Sequence, residues 1–104
     1  MNLKIYQFAK GAMALIVLFA LASCGGATMK KAEEAMLKKQ YAVSADMYDE
    51  LARNTELSKI DRQNAAFSGG ESYRFNHKPK QALKMYLRAE KYGATDPIVK
   101  FRIA

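Results

Sequence analysis

The sequence predicts an all-α protein, an antiparallel helix-pair solenoid of about two repeats plus the start of a third, preceded by an apolar leader. Three observations carry this reading. Beyond residue 27 the chain matches itself at an offset of 38 positions, a spacing typical of helix-pair repeats. Within the second copy, Ala82, Tyr86 and Ala89 fall at i, i+4 and i+7, one face of an α-helix. No segment shows the strict apolar–polar alternation of a half-buried strand.

The leader comes first. Met1, Lys4 and Lys10 open the chain with positive charge and no acid, and residues 11–21 then read GAMALIVLFAL, an unbroken apolar run. A membrane-spanning helix needs about 20 such residues, and this run is about half as long. It ends in small residues rather than a basic stop-transfer cluster, the pattern of a cleavable export signal. The following Leu21, Ala22, Ser23 and Cys24 place a branched apolar residue and two small ones before a lone cysteine. With a single cysteine in the chain, no disulfide framework can form. An ordinary signal peptide with an incidental cysteine, or a buried free thiol, are the competing readings.

These four residues resemble the lipobox of bacterial lipoproteins. The resemblance implies that residues 1–23 are a signal peptide and that the Cys24 thiol takes a diacylglyceryl group. Cleavage between Ser23 and Cys24 then frees an amine that is usually acylated, with palmitate-like chains. Two or three acyl chains hold a protein at a membrane essentially permanently, whereas one does so only marginally. Residues 24–27 become the lipidated N-terminus and a short linker. No acid stands beside Cys24 and no Lys-plus-acid cluster follows it. By resemblance to known sorting rules, the expected location is therefore the outer membrane, facing the periplasm. Of the 17 Lys and Arg, Lys4 and Lys10 belong to the leader, so the remaining chain carries 15 against 10 acids. That basic balance suits contact with anionic headgroups or an acidic partner.

Residues 28–104 hold the repeats, taken here in chain order. The first helix carries Ala32, Ala35 and Met36, and the second carries Ser44, Tyr48 and Leu51. A longer turn is expected around residues 54–58. Ser58 with Asp61 then has the form of a capping box, the Ser oxygen accepting from free backbone amides. Ile60, Ala65, Ala66, Gly69, Gly70 and Tyr73 supply a face of mostly small residues to this third helix. His77 and Lys78 make the next turn, and Pro79 suits a first helical position, where its missing N–H costs nothing. Gly93 is the expected left-handed stop of the fourth helix. Asp96 followed by Pro97 starts another helix. Only residues 98–104 remain to form it, so Ile98, Val99, Phe101 and Ile103 have no closing partner. The expectation is the N-terminal part of a longer protein or a gene product cut short.

Ala35, Ser44, Tyr48 and Leu51 recur 38 positions later as Tyr73, Ala82, Tyr86 and Ala89. Gly70, Tyr73, Ala82, Tyr86 and Ala89 resemble the small–aromatic–small–aromatic–small pattern of the tetratricopeptide repeat. The first copy departs from it at Ala35, Ser44 and Leu51, as terminal repeats often do. The resemblance implies close-packed antiparallel pairs with tyrosines filling the space between them.

No catalytic constellation assembles along the chain. His77 is the sole histidine and falls in a turn, and no cluster of His, Cys and carboxylates has metal-ligand spacing. Asp46, Asp49 and Glu50 read as the wet face of a helix, and Gly69 with Gly70 as a packing device rather than a phosphate loop. The four methionines beyond the leader read as core or groove filler. Lys78, Lys80, Lys84, Arg88 and Lys91 form a basic stretch that reads as a solvated face or a contact for an acidic partner, not as a nucleic-acid surface. The expectation is a non-enzymatic scaffold without metal or cofactor, save the lipid on Cys24, that binds a protein or peptide in a helical groove. A lipobox followed at once by such repeats resembles the front of the OmpA-family, peptidoglycan-associated lipoproteins of Bacteroidetes secretion and gliding machinery. Their propeller and wall-binding domains have no counterpart in these residues. The alternative is an accessory module of a larger envelope enzyme whose catalytic part lies elsewhere.

Overall fold

The computed structural model describes residues 26–104; the leader and the Leu21, Ala22, Ser23 and Cys24 motif lie outside the described residues. The described residues are all-α, with five helices and no strand: α1 (Met29–Leu37), α2 (Tyr41–Arg53), α3 (Lys59–Phe75), α4 (Pro79–Lys91) and α5 (Pro97–Ile103).

Local chemistry fixes where these helices begin. At α1 the Thr28 hydroxyl accepts from the Lys31 N–H, and at α3 the Ser58 hydroxyl accepts from the Asp61 N–H, each at 3.1 Å. Asp96 does the same for Ile98 at the head of α5, with Pro97 in the first position, where no N–H is missed. Pro79 opens α4 in the same way.

Three of the helices end alike. After α1, α3 and α4 the chain turns left-handed at Lys39 (φ 60°), His77 (φ 59°) and Gly93 (φ 98°). Behind each, two backbone N–H groups reach back to carbonyls of the last turn: Gln40 to Ala35, Lys78 to Tyr73 and Ala94 to Ala89 close the wider loop. This is the Schellman pattern, which satisfies carbonyls that a helix end leaves open. Glycine is its natural residue, yet two of the three positions carry side chains. Those two, Lys39 and His77, stand 38 residues apart, as do the starts of the equal-length helices α2 and α4. Between α2 and α3 the chain turns through residues 54–58, where the Asn54 side chain accepts from the Glu56 N–H at 3.0 Å.

The main packing joins consecutive helices, α1 on α2, α2 on α3, α3 on α4 and α4 on α5. At the core lie Ala32, Ala52, Ala65, Ala66 and Ala89 with Tyr48, Leu51 and Met85. Alanines let helix axes approach, so backbone, rather than long side chains, fills much of the interior. Met29, Met36 and Met47 pack on the margin of this core.

Two expectations need correction. Ile60, expected on the small-residue face, is 58% exposed, in the first turn of α3. Val99, expected to lack a closing partner, is buried in the last helix, which packs on α4.

Candidate functional site

Gly70 determines what can happen next to it. A Cβ built on it would lie 2.5 Å from the Tyr86 Cε1, so only glycine lets the Tyr86 ring rest on the α3 backbone. At Gly69 a Cβ would come within 3.1 Å of the Tyr48 Cβ and 2.5 Å of the Met85 Cε. Held this close, Tyr86 donates its hydroxyl to Glu71 Oε1 at 2.8 Å. Arg74, one turn along α3, donates to Oε2 at 2.7 Å, and Arg102 of α5 donates to Oε1 at 2.9 Å. One nearly buried carboxylate thus ties α3, α4 and α5 together.

The electrostatics follow from that geometry. Burial alone would raise the Glu71 pKa, but the hydrogen bonds from Arg74, Arg102 and Tyr86 outweigh it and hold the carboxyl below its ordinary value. Tyr86 is pushed up to about 12, first by burial and then by the hydrogen bond to Glu71 and its charge.

A second carboxylate links α2, α3 and α4. Asp49 Oδ1 accepts from Arg53 at 3.2 Å and from Arg88 at 3.1 Å, while Oδ2 accepts from the Tyr73 hydroxyl at 3.4 Å. Burial, then the nearby Asp49 and Asp46 charges, raise the Tyr73 pKa. Asp49 therefore does not belong to a merely wet face, nor Arg88 to a free basic stretch. Their partners lie 24 and 39 residues away and leave no local sequence signal. Deeper between α2 and α3, the Ser44 and Ser72 hydroxyls share a buried hydrogen bond of 2.8 Å. Serine at 44, where the second copy has Ala82, thus has a polar partner.

Beside the Glu71 network lies a cleft of about 230 Å³. Gln63, Asn64 and Phe67 of α3 form one wall, residues 93–96 the end, and Ile98 and Val99 of α5 the other wall. Phe67 lies one turn from Glu71 and its ring stands 6.0 Å from that of Tyr86, so the cleft adjoins the hub. The Gln63 side-chain amide donates to the Tyr92 carbonyl at 3.0 Å, fixing the turn that closes this end. Ile98, 41% exposed, leaves apolar surface on its wall. An apolar wall, amides and an adjoining charged network suit the capture of side chains from a peptide or protein.

Of the residues singled out in the sequence, Ala35, Ser44, Tyr48, Leu51, Gly70, Ala82, Tyr86 and Ala89 are buried, and Tyr73 is half-buried with its hydroxyl on Asp49. They form the packing that supports the cleft and contribute none of its lining. Glu71 and Arg102 had no signal beyond the i, i+3 spacing of Glu71 and Arg74. His77 occupies its left-handed turn, apart from both networks. Among the described residues no group of three or more His, Cys, Asp or Glu is placed to hold a metal ion, and no helix is long and apolar enough to cross a membrane. No protein-family model, curated protein or solved structure matches the chain.

Proposed function

We propose that this chain is a lipid-anchored envelope protein, held at the outer membrane through Cys24, whose tetratricopeptide-like helix pairs act as a scaffold for a protein or peptide partner. The observation that carries the scaffold reading is the recurrence of one unit. Helices of equal length start 38 residues apart, each preceded by a left-handed turn residue at the same offset. The order of contacts supports antiparallel pairing. Along α2, Tyr41, Ser44 and Tyr48 meet Phe75, Ser72 and Gly69 of α3 in descending order. Gly69, Gly70 and Gln63 of α3 likewise meet Met85 and Tyr86 of α4 and Tyr92 just past its end, with the early residue of one helix against the end of the other.

On this reading the cleft between α3 and α5 is the recognition surface, and the exposed Ile98 and Asn64 line it. A photo-crosslinking residue at Asn64 or Ile98, introduced in cells making the full chain, should give a discrete adduct. The same residue at Glu50 or Glu33, exposed on other helices, should give none. Adducts equally frequent at all four positions, or at none, would contradict a defined partner surface.

A further inference from the structure

On α4, Lys80, Leu83, Lys84, Leu87 and Lys91 follow one another at i, i+3, i+4, i+7 and i+11, so they share one side of the helix. All five are exposed, Leu83 by 41% and Leu87 by 45%. None of the three lysines makes an ion pair among the described residues, whereas the neighbouring Arg88 is tied to Asp49. On the same helix Glu90 stands at its margin, and Asp49, already held by Arg53 and Arg88, shares a shallow recess with Lys84. The face therefore presents two leucines amid three free positive charges.

We infer that this face of α4 rests on an anionic membrane surface. Two leucines amid lysines are the arrangement of a helix lying in a lipid interface, with the apolar side chains sunk among headgroups and the ammonium groups reaching phosphates. An acidic protein would satisfy the charge but gives no equal account of leucines interleaved with lysines on one open face. The inference gains a further reason from the proposed anchor, on which it rests for proximity alone. Only residues 25–28 separate Cys24 from α1, at most about 14 Å of extended chain, so a lipidated body has to lie with some face close to the bilayer.

The test removes the anchor on purpose. The full chain carrying Cys24→Ala and Leu87→Cys is labelled with a polarity-sensitive fluorophore and mixed with vesicles of phosphatidylcholine alone or with added phosphatidylglycerol. The expected result is a blue shift with the anionic vesicles only, absent when the probe sits at Glu50→Cys. Each lysine replaced in the set Lys80→Gln, Lys84→Gln and Lys91→Gln should lower the docking equilibrium about fivefold. All three are surface changes, and unchanged circular dichroism will show that the fold survives. Equal emission with both vesicles, or a shift untouched by the triple substitution, overturns the inference; so does a shift produced by an acidic protein but not by lipid. Because Cys24 is absent, such a failure leaves the anchor unaffected, and fatty-acid labelling of the wild-type chain tests that separately.

Discussion

Glu71→Gln keeps the shape of the side chain but removes the charge that Arg74 and Arg102 share, so it tests the hub directly. The change should cost about 1–3 kcal/mol, the range for weakening a buried charged hydrogen-bond network. Its pH dependence has a definite sign. Because the folded carboxyl titrates below its ordinary value of 4.5, its contribution is fully present above that value and lost as pH falls through the lower one. Acid melts of wild type and Glu71→Gln should therefore converge below pH 4.5. Tyr86 works in the other direction. Its contribution holds below its ordinary value of 10.0 and is lost as pH rises toward about 12, so Tyr86→Phe should flatten the alkaline limb of the stability curve. Little of this was legible in the sequence. A glutamate in mid-helix reads as solvated, and two of its three partners lie 15 and 31 residues away.

The helices show what local chemistry can and cannot announce. Ser58, Pro79, Gly93 and the Asp96–Pro97 pair were readable because caps and stops act within a turn or two of chain. Lys39 was not, since a lysine gives no hint of a left-handed backbone and only its offset from His77 betrays it. Glycine would suit both positions better, so Lys39→Gly and His77→Gly should each raise stability, by about 1 kcal/mol in thermal melts. Gly70 makes the opposite case. Helix propensity alone predicts that Gly70→Ala stabilises α3 by about 1 kcal/mol. The new methyl would meet the Tyr86 ring at 2.5 Å, and overpacking of that kind typically costs about 1–3 kcal/mol, so the net effect should be a loss. A gain in Tm for Gly70→Ala would show that α3 and α4 are not held this closely.

At the scale of the whole molecule, the sequence carried the helical class and the 38-residue period, because both rest on spacing that recurs along the chain. The cleft, by contrast, is formed by Gln63, Asn64 and Phe67 meeting residues 93–99, and arises only once α3, α4 and α5 are packed. Packing should therefore govern it. Tyr86→Ala, which removes a side chain only 2% exposed, should destabilise by about 3–5 kcal/mol, while Lys84→Ala on the open face should stay within about 0.5 kcal/mol of neutral. Similar costs for the two would refute the helical register.

The proposal as a whole depends on where the finished protein begins and what its first residue carries. Mass spectrometry of the tryptic N-terminal peptide, taken from membranes of cells making the full chain, reads both at once. The account predicts a peptide of residues 24–30 that starts at Cys24 and carries the mass of a diacylglyceryl group, with or without an amide-linked acyl chain. A peptide of residues 11–30, with the Ser23–Cys24 bond intact and the thiol unmodified, would contradict it.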